Sequence, residues 1–279
     1  MTRLTEGGVP SPSLGAELLL MHALGISRGD LHAFPEREIP PETAQQYFEL
    51  VSERLTGKPT QYITGHQEFW GLDFIATPDV LIPRPETEHV VEAVVEIARS
   101  HLPAARGRPC IADVGTGSGC IAVALGSELP EAEIHALDIS PAALSVAALN
   151  VSRHGLSGRI RLIESDLLRG LLEEGRAGQF DLVSSNPPYV GLNDLEMVQR
   201  EVKEFEPRIA WGGLDREDAI YRRLFPEALE LLKPGGWLVV EIGYNMREQV
   251  TRLLQDGWFH VEVRPDLSGI PRVVTARRQ

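Results

Sequence analysis

The sequence predicts an α/β fold, a doubly wound, mostly parallel seven-stranded sheet behind a small helical N-terminal domain. Three observations predict it. From residue 86 onward, stretches with helical apolar spacing alternate with short apolar runs of strand length, as in a parallel sheet covered by helices on both faces. The glycine-rich segment ADVGTGSGC follows one such run directly and opens a helix. Another run, FDLVSS, is halted by two consecutive prolines, which have no N–H to give to a sheet.

The elements follow in order. SLGAELLLMHALG carries apolar residues at helical spacing and stops at Gly25; PPETAQQYFELVSERLTG starts on prolines, has Glu42 in its first turn and stops at Gly57. These predict a helical domain over residues 1–56. Residues 57–85 are dense in Gly, Pro and aromatics, with alternating runs such as EFWGLDF, and predict a linker with a hairpin. Residues 86–279 form the second domain. ETEHVVEAVVEIARSHL reads as an amphipathic helix, CIADVG as a strand and GCIAVALGSEL as a helix. EIHALDIS, IRLIESD, FDLVSSN and WLVVEIG read as further strands, with AALSVAALNVSRHG and DAIYRRLFPEALELL as helices. The second of these helices is expected to close on a Pro-Gly-Gly turn, and HVEVRPD with RVVTARR to end the sheet as a hairpin.

At 279 residues, 43% hydrophobic and 24% charged, the chain has the composition of a globular protein with a sizeable core, and disorder is not expected. No run approaches the roughly 18 apolar residues of a membrane span, and the N-terminus reads as neither signal nor transit peptide, so a cytoplasmic protein without a membrane partner is expected. The net charge of -13 argues against a stable grip on nucleic acid, which depends on Lys and Arg neutralising phosphates. Cys110 and Cys120 match no metal or redox spacing and read as buried free thiols. His66 and His89 have no acidic partner at metal-ligand spacing, and no metal is expected.

Ligands of such sheets sit beyond the carboxyl ends of the strands, where the chemically distinctive residues fall. Gly115, Gly117 and Gly119 alternate, whereas a dinucleotide turn places its third glycine three residues after the second, where Cys120 stands here. Asp138 ends the next strand, where a carboxylate can accept both hydroxyls of a ribose; Asp166 is expected to end the third, within reach of an adenine amino group. Together they describe a nucleoside without a pyrophosphate. Each aspartate singly could also be no more than a turn former.

The pattern resembles the class I methyltransferases that use S-adenosylmethionine and release S-adenosylhomocysteine. The resemblance implies that Gly115, Thr116, Gly117, Ser118 and Gly119 hold the cofactor with Asp138 and Asp166, and that Asp113 lines its methionine end. Asn186, Pro187, Pro188 and Tyr189 resemble the Asn-Pro-Pro-Tyr motif of methyltransferases acting on a planar, conjugated nitrogen. There Asn186 and Pro187 are the expected catalytic pair. The Asn186 side-chain oxygen takes one N–H, the Pro187 carbonyl takes the other, and Pro188 and Tyr189 complete the substrate site, with Tyr189 packed on the flat group.

An adenine amino group and a glutamine amide present the same two hydrogens. Holding a duplex and flipping a base calls for a basic region that this acidic chain lacks. QYITGHQEFWGLDF, TPDVLIPRPETE and EVKEFEPRIAWGG resemble the protein-glutamine N5-methyltransferases, most of all those acting on peptide chain release factors, and the likeness covers nearly the whole chain. It implies as substrate the glutamine of the Gly-Gly-Gln loop of class I release factors, with the helical domain helping to dock that partner. It also implies that Leu167, where family members can carry an aromatic residue, and Asn186 touch the cofactor. The segment around Arg216 departs from the family's usual glycine. The alternatives are a ribosomal protein glutamine methyltransferase, an RNA or DNA adenine methyltransferase, and a non-catalytic cofactor-binding partner protein. Prolines and acids before a helix, as in IPRPETE, also have a purely structural reading.

Overall fold

The computed structural model describes residues 2–102 and 108–279. Five short helices come first: α1 (Thr2–Glu6), α2 (Pro12–Leu24), α3 (Arg28–Ala33), α4 (Pro41–Leu55) and α5 (Thr60–Thr64). Pro12 occupies the first turn of α2, where an N–H would have no helical partner, and Gly25 ends it in the left-handed region. Leu4, Val9, Leu19 and Val51 close a small core between these helices.

The predicted hairpin is present as β1 (His66–Phe69) and β2 (Leu72–Ile75), antiparallel. Its two loop residues, Trp70 and Gly71, have φ of +57° and +69°, as the tight turn that matches strand twist requires. Phe69 and Phe74 are buried and meet edge to face with ring centres 6.0 Å apart.

The second part alternates as expected. It runs through α6 (Glu88–His101), β3 (Cys110–Val114), α7 (Cys120–Glu128), β4 (Glu133–Asp138), α8 (Pro141–Arg153), β5 (Ile160–Glu164), α9 (Arg169–Glu173) and β6 (Phe180–Ser185). There follow β7 (Val190–Gly191), α10 (Arg200–Phe205), α11 (Arg208–Trp211), β8 (Gly212–Leu214), α12 (Ala219–Leu231), β9 (Leu232–Glu241), α13 (Arg247–Thr251), β10 (Trp258–Pro265) and β11 (Pro271–Arg278). The seven-stranded sheet has the order β10-β11-β9-β6-β3-β4-β5. β9, β6, β3, β4 and β5 are parallel, and β11 is antiparallel to both its neighbours. On one face α6 and α7 bury Val90, Val94, Ile97, Ile121 and Leu125; on the other α12 buries Leu224, Phe225 and Ala228.

The terminal hairpin forms, but β11 inserts between β9 and β10, so the last strand in sequence is not the edge. The Pro-Gly-Gly turn differs too. β9 already begins at Leu232 opposite Phe180, residues 233–236 bulge out, and pairing resumes at Leu182 with Trp237. Lys233 on the bulge reaches the Asp181 carboxylate at 2.7 Å, which ties the bulge to the neighbouring strand.

Asn150 of α8 joins three parts of the molecule. Fully buried, it accepts from the Ile75 N–H at 2.8 Å and donates to the carbonyls of Ile75 at 3.1 Å and Ser118 at 2.9 Å. Asn150→Ala leaves three backbone groups without that partner. The expected loss is on the order of 3 kcal/mol, read as a lower urea midpoint at unchanged slope. A midpoint equal to wild type would show that the staple carries no stability.

Candidate active site

The chain leaves β3, the middle one of the five parallel strands, travels outward through β4 and β5, and returns to β6 on the other side of β3. A sheet whose order reverses in this way opens a crevice between the two strands at their carboxyl ends. The register pairs Val114 with Ser185, so the residues that follow, Gly115 and Asn186, emerge side by side. A cleft of about 480 Å³ opens there, within the range of small-molecule sites. Its wall includes Gly115, Thr116, Gly117, Ser118, Asp138, Asp166, Leu167, Asn186, Pro187 and Pro188, so nearly all the residues singled out from sequence meet in one place.

The glycines of the turn have φ of +69°, +55° and +82°, a region closed to most side chains. At Gly115 and Gly117 a Cβ would meet nothing closer than 4.0 Å, leaving bare backbone facing open space. Gly119 is different: it stands behind the turn, where a Cβ would press on Ala147 of α8 at 3.3 Å. Its place is helix packing, outside the cleft wall.

Beneath the turn lies Asp113, fully buried, accepting from Thr116 Oγ1 at 2.7 Å and Ser184 Oγ at 3.2 Å. Burial pushes its carboxyl up to about 6, against the pull of these two hydroxyls. The expectation that Asp113 lines the cleft is corrected: it supports the turn from below.

Asp138 does end β4 and faces the cleft. It accepts from the Gly117 N–H at 2.8 Å and the Ser140 N–H at 2.9 Å, one on each oxygen. Burial raises its pKa above the ordinary carboxylate value, and these backbone donors oppose the rise. Asp166 needs correction as well. β5 stops at Glu164, two residues earlier, and the Asp166 carboxylate pairs with Arg223 of α12 at 2.6 Å. It still lines the cleft. Leu167 beside it has φ +55°, a costly conformation for a branched side chain, in a tight bend that places it on the cleft wall.

Tyr189 does not line the cleft. Its ring lies beside Gly243, where a Cβ would come 3.2 Å from it, and its hydroxyl reaches Glu241 Oε1 at 3.2 Å. The reason is that carboxylate, which ends β9 and was not identified from sequence. Glu241 is 2% exposed and its pKa is pushed up to about 7, chiefly by burial. Thr87 donates to its Oε2 at 2.7 Å, and Asn186 Nδ2 donates to Thr87 Oγ1 at 2.9 Å. The legible signal was a charged residue closing the apolar run WLVV.

Two of the segments that carried the resemblance meet at Glu206. Its buried carboxylate accepts from the Ile82 N–H at 3.2 Å and pairs with Arg84, joining the IPRPETE stretch to the segment that holds α10 and α11. Arg84 faces the cleft, as do Arg208, Ile209, Ala210 and Gly212. Gly212 has to be glycine. At φ +149° a Cβ there would lie 2.6 Å from Val190 Cβ, blocking the pairing of β7 with β8 that draws this wall against the Asn-Pro-Pro-Tyr loop. Phe69 is core, and Trp70 Nε1 donates to Glu128 at 3.0 Å, away from the cleft. His66 lies against Asp73 and His89 against Glu92, and among the described residues no His, Cys, Asp and Glu cluster has metal-site geometry. Both cysteines are free and buried. No described helix is long and apolar enough to cross a membrane.

This sheet order, with an open glycine turn and an acid on the neighbouring strand, defines a class I methyltransferase domain. A family model described as "Methyltransferase small domain" matches residues 90–214, and one described as "PrmC N-terminal domain" matches residues 1–65. The release factor glutamine methyltransferase of Koribacter versatilis is 48% identical over 278 residues, covering 100% of this chain and 95% of its own. That of Geobacter sulfurreducens is 43% identical over 276 residues, covering 98% and 92%. The chain belongs to the release factor glutamine methyltransferase family. Among solved structures, the human METTL16 catalytic domain in complex with an RNA hairpin has the same fold, with a TM-score of 0.59 and 19% identity over 83% of this chain and 82% of that one.

Proposed function

We propose that this chain transfers a methyl group from S-adenosylmethionine to the side-chain amide nitrogen, N5, of the glutamine in the Gly-Gly-Gln motif of class I peptide chain release factors. One observation carries the reading: the Asn186-Pro187-Pro188 corner and the open glycine turn line one cleft. The names of the relatives favour release factors over ribosomal proteins or nucleic acid as the methyl acceptor.

S-adenosylmethionine supplies a methyl group on a positively charged sulfur. The bare backbone at Gly115 and Gly117, with Thr116 and Ser118, suits its amino-acid end; Asp138 suits its ribose hydroxyls, and Asp166 and Leu167 its adenine. Asn186 lines the same cleft and is assigned to the boundary between that site and the methyl acceptor.

An amide nitrogen is a poor nucleophile because its lone pair is shared with the carbonyl. Asn186 Oδ1 accepts one of its hydrogens and the Pro187 carbonyl accepts the other, which holds the nitrogen as it loses conjugation. Pro187 and Pro188 bring no N–H into the corner to compete. Positioning and preorganised acceptors do most of the work. As the N–C bond forms the methyl–sulfur bond breaks, its electron pair returning to sulfur in S-adenosylhomocysteine; the nitrogen becomes more acidic, so its proton leaves late, to water, and needs neither strong base nor metal. The helical domain, residues 1–56, is assigned to docking the protein substrate, and the enzyme to the cytoplasm, where release factors work.

The test supplies labelled methyl donor to purified release factor, ribosomal proteins and RNA in parallel. The expected result is label in the release factor, with the Gly-Gly-Gln peptide heavier by one methylene. Label confined to a ribosomal protein or to RNA, or cofactor binding without turnover, would overturn the reading.

A further inference from the structure

Behind the Asn-Pro-Pro-Tyr loop lies a buried relay that the proposed chemistry leaves unassigned. Glu241 and Thr87, each 2% exposed, stand 154 residues apart in sequence, and Thr87 and Asn186 stand 99 apart. Thr87 ends the turn Pro85–Thr87 that leads into α6, a place where threonine ordinarily caps the helix. It makes no such cap. Its hydroxyl faces Glu241 and Asn186 instead.

A hydroxyl has one hydrogen to give. With Glu241 ionised, as it is above about pH 7, the carboxylate has no hydrogen to offer and the Thr87 hydrogen goes to its Oε2. Thr87 can then only accept from Asn186, so the Nδ2 end of that amide is turned toward Thr87 and its Oδ1 is left for the cleft that Asn186 lines. The direction decides what the cleft offers. Oδ1 accepts an N–H, whereas an inverted amide would present N–H against N–H. Glu241 also accepts from Tyr189 on its other oxygen, so one carboxylate holds both ends of the loop.

We propose that Thr87, aligned by Glu241, is a positioning residue for methyl transfer, fixing the amide of Asn186 with its acceptor oxygen toward the substrate nitrogen. This rests on the role given to Asn186 in the proposed function. Thr87 lines the cleft beside Asn186, with its hydroxyl hydrogen committed to Glu241. Its effect passes through Asn186 alone.

Thr87→Val keeps the shape and removes the hydroxyl, Thr87→Ala removes both, and Thr87→Ser keeps the hydroxyl. Each is assayed with release factor and S-adenosylmethionine, with thermal midpoint and cofactor Kd measured alongside. The expected result is that kcat sorts by hydroxyl and not by size. It falls about tenfold or more in the valine and alanine variants, ~1.4 kcal/mol per tenfold, and returns to near wild type in the serine variant. KM for the release factor and cofactor Kd stay near wild type. Valine and alanine variants with wild-type kcat per folded molecule would overturn the proposal, as would failure of both to fold while the serine variant folds and works, since Thr87 would then act on stability alone. A wild-type enzyme that does not label release factor sinks the proposed function itself, a separate outcome seen before any variant is compared.

Discussion

Asn186→Ala is expected to reduce methyl transfer to release factor by about a hundredfold to a thousandfold, the scale on which single preorganised polar contacts in active sites act. The side chain supplies one of the corner's two hydrogen-bond acceptors, and alanine has no replacement for it. A water entering the gap could take the hydrogen but would not hold the nitrogen in place, and positioning is most of what the corner contributes. Cofactor affinity should change little, because the glycine turn and Asp138 are left in place. Removing the side chain also leaves Thr87 without its donor while its own bond to Glu241 persists, so the relay stays anchored and the fold should hold. Single-turnover rates with labelled donor, beside cofactor Kd by calorimetry, separate the two effects. Ordinary turnover in this variant would remove Asn186 from the mechanism.

What could be read from sequence at this site was local; what could not was carried by contacts across the sheet. Alternating patterns identify β3 and β6, the turn after one and the prolines after the other, because each depends on neighbouring residues. That Gly115 and Asn186 touch the same cleft follows only from the pairing of Val114 with Ser185. The insertion of β11 between β9 and β10 leaves no trace in periodicity, since either order buries the same apolar faces. Distant partners account for two of the site residues whose surroundings differ from expectation. The sequence predicts Asp166 within reach of an adenine amino group, but Arg223 on α12 engages its carboxylate; the resemblance implies Tyr189 packed on the substrate's flat group, but Glu241 draws its hydroxyl the other way. Glu241 itself looks like a polar strand ending until Thr87 and Asn186 are seen against it. Leu167 shows a related limit. Its place after Asp166 was legible, but its left-handed backbone was not, because nothing short of the folded bend makes a leucine accept that conformation.

Asp138→Ala is expected to act on the other reactant, weakening S-adenosylmethionine by about a hundredfold, ~2.7 kcal/mol. Two losses combine. A carboxylate accepting two ribose hydroxyls makes charge-assisted bonds worth roughly 1.5–3 kcal/mol each, less what water returns in the free protein. The same carboxylate also fastens the Gly117 and Ser140 N–H groups, one to each oxygen, so its removal loosens the turn that the cofactor lies against. Asp138→Asn separates the two parts. Its amide can satisfy one backbone donor through Oδ1 but sets its own N–H groups against the other, so it should recover little of the affinity if holding the turn matters and more if only the ribose does. Once cofactor saturates, kcat in both variants should approach wild type, because the corner at Asn186 is untouched. A Kd at the wild-type value in the alanine variant would mean that the ribose is held elsewhere; a kcat that stays low at saturation would mean that the turn beneath Asp138 also sets the position of the reacting methyl.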